Sequence, residues 1–436
     1  MNKELLRVVI EDQKKAVMEG RAAAPLPRVL LDTAYKSLSK KEITLITGVR
    51  RCGKSTLLKE LIAKLLADGV SKENLLYLNF EDERLIGFTS SDFQSLNEIF
   101  PASRKPRRYF FLDEIQNVPM WEKWANRMYE FEDAKIVATG SNSSLLSSDV
   151  SGSLTGRNIT LTEFPFSFNE IAAGPARTTE ERARSASALR QYLEYGGFPQ
   201  VLLERRKELL LSYLRDIIER DILKRHNVRN RRSFEEFAFY SMNLYSKRVT
   251  FEKLRNIFNL NSTNTAKKFL GYMEEAFLTF LVERYSNSNA QVVRAPRKLY
   301  AIDHALAQQV SNNPLQEVGS AYENIVFIEL RRRLSAGESI YYWEDYRGRE
   351  VDFILKKGKK PTAAIQVAYE LGARKAEEVS TLLKSMRELG IREGTMITAD
   401  LDDEEKHGEL RIRYVPLWEW LCASRQSNDN RKIAQT

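Results

Sequence analysis

The stretch Thr47-Gly48-Val49-Arg50-Arg51-Cys52-Gly53-Lys54-Ser55-Thr56 satisfies G-x-x-x-x-G-K-[ST] at every fixed position. The chemistry needs these residue types. Gly48 and Gly53 let the backbone turn tightly and aim N–H groups at phosphate oxygens. Val49, Arg50, Arg51 and Cys52 supply the amides between them, and Thr56 closes the binding stretch. A helix beginning at the loop turns its positive dipole end toward the phosphates. Lys54 reaches β- and γ-phosphates, and the Ser55 hydroxyl joins the shell of Mg²⁺.

A second constellation is Tyr109-Phe110-Phe111-Leu112-Asp113-Glu114. An apolar run ending in two acids is the pattern of a buried strand that ends at a metal site. Asp113 would hold Mg²⁺, directly or through water, and Glu114 would polarise the attacking water as general base. Further on, Thr139, Ser141 or Asn142 would hold the γ-phosphate or that water; an ordinary strand-to-helix turn with capping residues is the alternative. Arg157, just after Gly156, reads as an arginine finger or sensor. Its alternative is a surface ion pair. Fingers also act across subunits, so Arg157 leaves monomer and ring open.

These residues need elements to place them. Ile43 to Ile46 is a short apolar run before the loop, and Leu57 to Leu66 is a helical pattern after it. Asn74 to Phe80 reads as a strand ending in Glu81-Asp82-Glu83, and Ala134 to Asn142 as another. Residues 4–20 form an amphipathic helix with Leu5, Leu6, Val9 and Ile10 on one side, and Ala22 to Pro27 a linker. Strands alternating with helices imply an α/β fold, a parallel sheet covered on both faces.

The phosphate loop, Phe111-Leu112-Asp113-Glu114-Ile115-Gln116, Thr139-Gly140-Ser141-Asn142-Ser143, Thr155-Gly156-Arg157 and Leu161-Thr162-Glu163-Phe164-Pro165 form an ordered series. It resembles the prokaryotic AAA-type ATPase family that carries a C-terminal domain of uncharacterised function. The resemblance implies an AAA/STAND-like P-loop NTPase domain over 1–175. No Asn-Lys-x-Asp guanine element is present, which favours ATP.

Residues 176–232 read as a helical lid or connector, broken by the Gly196-Gly197-Phe198-Pro199 turn. Arg215, Arg220 and Arg225 there are expected to pair with Asp216, Glu219 and Asp221. Residues 233–305 follow helix–turn–helix grammar. The helices are Phe234 to Tyr245, Phe251 to Phe258 with Thr250 as cap, and Thr263 to Phe277. Phe280 to Tyr285 and Lys298 to Asp303 would be the strands of a wing, with Arg294, Arg297 and Lys298 beside it. The unit reads either as a DNA-binding winged helix, using Asn261, Ser262, Thr263, Asn264, Lys267 and Lys268 on phosphates, or as packing.

Residues 306–436 contain a helix from Gly319 to Leu330 and strands at 339–343, 349–355 and 363–369. This resembles the restriction-endonuclease-like fold, which the ATPase family also carries at its C-terminus. The resemblance implies a site of helix Glu, strand Asp, and Glu/Asp-x-Lys on the next strand. Glu323 and Asp352 match. The third position is the neutral Gln366, and the lysine position is Ala368. A remnant nuclease site is the expectation, with residual metal or nucleic-acid binding or a structural role rather than cutting.

At 436 residues the chain has room for two or three domains. Lys and Arg number 68 against 59 acids, a net +9 that permits nucleic-acid contact. Cys52 and Cys422 argue against a disulfide framework, and His226, His304 and His407 lack metal-ligand spacing. There is no signal-peptide pattern and no apolar run near the ~18 residues of a membrane span. The expectation is a cytoplasmic ATPase switch that binds ATP, Mg²⁺ and DNA, with an ATP-dependent nuclease or a protein-binding scaffold as alternatives.

Overall fold

The computed structural model describes residues 1–19, 26–101, 107–141, 154–172, 174, 178–311 and 318–423. The chain forms two compact units, residues 1–165 with 275–277, and residues 166–274 with 278–436.

The first unit is built on β1 (Ile43–Thr47), β2 (Leu75–Asn79), β3 (Arg108–Asp113), β4 (Ala134–Gly140) and β5 (Asn158–Thr162). They lie in the order β2-β3-β4-β1-β5, all parallel. Every residue of β1 and β4 is buried, because both faces are covered. The period of two sorts the side chains between those faces. Ile43, Leu45, Leu76, Leu78, Phe110 and Leu112 pack with Leu6 and Val9 of the N-terminal helix (Lys3–Glu19) and with Phe93 and Trp124. Ile46, Leu75, Tyr77 and Phe111 face Leu57, Leu58, Leu61 and Leu65 of the helix Lys54–Ala67. Parallel strands deliver all their C-terminal loops to one end of the sheet, where ligands of open α/β sheets bind. The phosphate loop, Asp113-Glu114, Ser141 and Glu163 all leave strands at that end.

The second unit carries β6 (Lys247–Val249), β7 (Thr279–Arg284), β8 (Arg297–Ala301), β9 (Glu338–Glu344), β10 (Glu350–Lys357), β11 (Lys360–Val367), β12 (Glu393–Thr398), β13 (Asp403–His407) and β14 (Leu410–Pro416). They form one sheet ordered β13-β14-β12-β11-β10-β9-β7-β8-β6. The sheet continues across residue 305, the expected end of the helix–turn–helix unit. The join is parallel pairing of β7 with β9, at Glu283 with Tyr341 and Arg284 with Tyr342. β6 and β12 to β14 were not read from the sequence. Thr250 caps its helix as expected, accepting from the Lys253 N–H. The helix Leu209–Asp216 runs on into a π-helical stretch, Ile217–Leu223, where Glu219 pairs with Arg231 rather than with a neighbour on its own helix.

The Gly196-Gly197 turn is held from far along the chain. Gly196 has φ 72°, and a Cβ there would lie 2.3 Å from Asp303 Oδ1. The Gly197 N–H donates to Asp303 Oδ2 at 2.7 Å, while Asp303 Oδ1 accepts from the Leu306 N–H at 3.0 Å as a helix N-cap. Asp303→Ala therefore removes a cap and strands a buried N–H. The expected cost is about 2–4 kcal/mol, read as a fall in the urea midpoint. A midpoint within error of wild type would remove Asp303 from this role.

A candidate nucleotide site and a buried acidic cluster

The phosphate loop has the backbone its sequence asks for. Gly48, Arg51 and Gly53 adopt φ of 150°, 68° and 115°. Val49, Cys52 and Lys54 are buried, and Arg51 and Thr56 are exposed. Burial pushes the Cys52 thiol up, so it stays protonated inside the loop. Two residues without an assigned role brace the loop, Glu163 from the Leu161–Pro165 segment and Arg28 from outside every motif. The Glu163 N–H donates to Thr47 O at 2.7 Å, and its carbonyl oxygen lies where a Cβ on Gly48 would approach to 2.0 Å. The Glu163 carboxylate is buried in an ion pair with Arg28, whose guanidinium also donates to Phe164 O. Arg28 sits in an otherwise featureless approach to the loop. Only its burial marks it, and burial is invisible in a single sequence.

Lys54 Nζ donates to Gly48 O at 3.0 Å and Val49 O at 3.1 Å, and lies 3.8 Å from Glu114 Oε1. A phosphate in the loop would compete with Glu114 for this ammonium. Asp113 is fully buried and accepts from Thr139 Oγ1 and from the Tyr77 hydroxyl at 2.9 Å. The Ser55 hydroxyl is near enough to favour the Asp113 carboxylate, so the two expected Mg²⁺ ligands are neighbours. Burial and the charge of Glu114 raise the Asp113 carboxyl above its ordinary range. A cation at this point would reverse that shift.

Glu114 stands in the left-handed region, φ 54° and ψ 46°. A bulky acid there is strained, and such strain persists only where surrounding bonds over-determine it. They do so here. The Glu114 N–H donates to Thr139 Oγ1 at 3.0 Å, and the carboxylate accepts from Gln116 Nε2. Burial alone would raise the Glu114 carboxyl. The Lys54 charge, the Gln116 hydrogen bond and the Arg50 charge outweigh it, and the group is held below its ordinary value. Arg50 itself pairs with Glu81 at 2.6 Å. Ser141 is buried within 3.4 Å of Gln116 Nε2. Thr139 is spent on the two acids rather than on phosphate, and Asn142 lies outside the described residues.

Arg157 is a correction to the finger or sensor reading within one chain. Its carbonyl accepts from the Ile43 N–H, so it lies beside the start of β1. The phosphate loop leaves the other end, about 15 Å away along the strand. Its side chain pairs with Glu130 at 2.7 Å and Asn126 at 3.0 Å. It belongs to the ion-pairing alternative.

In the second unit Glu323, Asp352 and Gln366 do come together, on the helix Val318–Arg333, β10 and β11. The Asp352 N–H donates to Gln366 Oε1 at 3.1 Å. Lys298, expected with Arg294 and Arg297 beside the wing, is 1% exposed and lies among these acids. Its Nζ donates to Glu323 Oε1 at 2.9 Å and Asp352 Oδ1 at 2.8 Å, and lies 3.1 Å from Glu350 Oε1. Residues 298–301 of β8 are all buried, and the charge of Lys298 is met there by the three carboxylates, while Arg297 beside it is mostly buried and pairs with Glu283 at 3.0 Å.

A parallel sheet in this order, with a phosphate loop after β1 and an acid pair after β3, is the P-loop NTPase fold, and the N-terminal unit is an AAA-type ATPase domain. Residues 40–172 match the family model of the AAA domain. Residues 186–317 and 318–420 match two domains of unknown function (DUF8612 and DUF4143). The chain belongs to one family with an uncharacterised protein of Haemophilus influenzae, at 32% identity over 338 residues, covering 76% of this chain and 83% of that protein. An uncharacterised protein of Methanocaldococcus jannaschii is 29% identical over 428 residues, 93% of this chain and 94% of its own. Among solved structures, the Aeropyrum pernix ORC1 protein in complex with DNA is 14% identical with a TM-score of 0.31, covering 70% of this chain and 97% of that one.

Proposed function

We propose that the chain is a Mg²⁺-dependent ATPase switch whose nucleotide state is relayed to a DNA-binding second unit. The observation that carries this is the convergence of Lys54, Ser55, Asp113 and an ionised, positioned Glu114 at one sheet end. Loop amides and Lys54 grip the phosphates. Ser55 and Asp113 are the residues that would hold Mg²⁺, which when bound neutralises charge on the β- and γ-phosphate oxygens. Glu114 takes the proton of the attacking water, and Thr139 and Gln116 fix its direction. Arg157 of a second copy is the remaining route to an arginine finger.

For DNA, the supporting order is helix (Arg231–Asn243), β6, helix (Phe251–Ile257), helix (Thr263–Glu275), β7, β8, with β8 paired between β6 and β7. That connectivity supports a winged-helix reading. Thr263, Asn264, Lys267 and Lys268 are exposed on its third helix, opposite buried Ala266, Leu270 and Met273. The helix, β9, β10 and β11 support a restriction-endonuclease-like reading of the remainder. No helix among the described residues is long and apolar enough to cross a membrane, and a cytoplasmic location is part of the same proposal.

The test is ATP turnover of the full chain with and without duplex DNA, over a salt series. Turnover needing Mg²⁺, shifted several-fold by DNA, with DNA affinity falling as salt rises, is the expected result. No turnover in either condition sinks the ATPase reading. Turnover indifferent to DNA, with no DNA binding, sinks the DNA half and favours a protein partner.

A further inference from the structure

We infer that the cation of the acidic cluster in the second unit is the ammonium of Lys298, and that this nuclease-like fold takes no divalent metal there. The inference does not depend on how the phosphate loop is read.

A divalent ion at this place would need several oxygens converging at about 2.0–2.6 Å. The oxygens on hand belong to Glu323, Glu350, Asp352 and Gln366; Glu323 Oε1, Glu350 Oε1, both Asp352 oxygens and Gln366 Oε1 are already turned to partners, while Glu350 Oε2 accepts no hydrogen bond and lies 3.5 Å from Arg248. Lys298 Nζ stands 2.9, 3.1 and 2.8 Å from Glu323, Glu350 and Asp352. An ammonium has three N–H donors, one for each carboxylate. The second oxygen of Asp352 accepts from the Val367 N–H at 2.9 Å. Gln366 turns its amide oxygen to the Asp352 N–H and its amide nitrogen to Glu378 at 2.8 Å. Glu323 Oε1 also accepts from the Tyr300 hydroxyl at 2.6 Å. Among the described residues no group of His, Cys, Asp and Glu side chains is arranged to hold a metal ion.

The point of convergence is therefore a nitrogen carrying one positive charge, tethered to a strand paired on both sides. Displacing it would leave a buried ammonium without partners, which is costly. The residue at the position where the resemblance wants a lysine is Ala368. The positive charge has come from β8 instead, and it stands between the acids rather than beside a metal that they hold. The cluster then works as an internal clamp that fixes β8 against β10 and the helix Val318–Arg333.

The experiment is a Mn²⁺ titration of the full chain without nucleotide, following free Mn²⁺ by electron paramagnetic resonance. Wild type and Asp352→Asn should bind the same amount of Mn²⁺. Lys298→Met keeps the apolar stem and removes the charge. It should gain one Mn²⁺ per chain, at least about tenfold tighter than any wild-type binding here, and lose it again in the double variant with Asp352→Asn. A wild-type Mn²⁺ site that Asp352→Asn abolishes overturns the inference, and so does a folded Lys298→Met chain that gains none. Circular dichroism establishes folding. Should a variant fail to fold, wild type against Glu323→Gln still decides: Mn²⁺ lost on that change overturns the inference, and equal binding supports it.

Discussion

Glu114→Gln is expected to bind ATP at least as tightly as wild type while hydrolysing it about 10²–10⁴-fold more slowly, the usual span for losing a general base. Two features of the site separate binding from turnover. The Glu114 carboxylate lies 3.8 Å from Lys54 and competes with phosphate for that ammonium. Removing its charge frees Lys54 for the nucleotide, so affinity holds or improves. The amide keeps the shape of the carboxylate and can still meet Gln116 after a flip, so the strained backbone at φ 54° loses little support. It cannot take a proton from water. Lys54→Ala should fail differently, losing affinity together with rate, because the charge it removes serves ground state and transition state alike. A fluorescent-nucleotide titration set beside single-turnover hydrolysis distinguishes the two patterns. Turnover by Glu114→Gln within about threefold of wild type would take the role of base away from Glu114.

That pair of residues was legible in the sequence because each belongs to a contiguous pattern. Lys54 sits in a loop whose spacing is dictated by phosphate geometry, and Asp113 and Glu114 end an apolar strand. The N-terminal helix, the phosphate-loop helix and the three helices between 231 and 275 were legible for the same reason: a period of 3.6 is local. What joins distant segments left no such trace. Thr139 orients both acids because β4 lies between β1 and β3, and strand order is not written in any window of residues. Arg28 and Glu163 meet across the loop they brace; Glu163 belongs to a recognisable segment, but nothing near either residue announces the other. Lys298 reads in the sequence only as a base beside a wing strand. The acids that meet it lie 25 and 54 residues further along the chain, at Glu323 and Asp352, beyond the reach of any local pattern. Arg157 misled in the opposite way. Its Gly-Arg context suggests phosphate, but the direction of β5 carries it to the far end of the sheet.

The Arg28–Glu163 brace gives the second large expectation. Gly48→Ala should weaken ATP binding by at least about 100-fold, equivalent to about 2.7 kcal/mol. Two independent facts oppose a methyl group at this position. The backbone stands at φ 150°, a conformation that L side chains rarely adopt. The added Cβ would also lie 2.0 Å from Glu163 O and 3.0 Å from the carbonyl carbon that bears it. Those are backbone atoms, with no rotamer to swing away. Nor can Glu163 retreat cheaply, since its N–H holds Thr47 O at 2.7 Å and its carboxylate is locked to the buried Arg28. The loop must therefore yield, and its amides lose their aim at the phosphates. The fold should lose only about 1–3 kcal/mol, because the displaced loop is at the sheet's end while the two apolar layers stay packed. Calorimetric titration with ATP and urea unfolding read the two effects separately. Trimming the neighbour gives no escape. In Glu163→Ala/Gly48→Ala the clashing carbonyl remains and Arg28 is left without its carboxylate, so binding stays lost and stability falls further. Affinity of Gly48→Ala within about threefold of wild type would mean that the close approach of Glu163 does not set the shape of the loop.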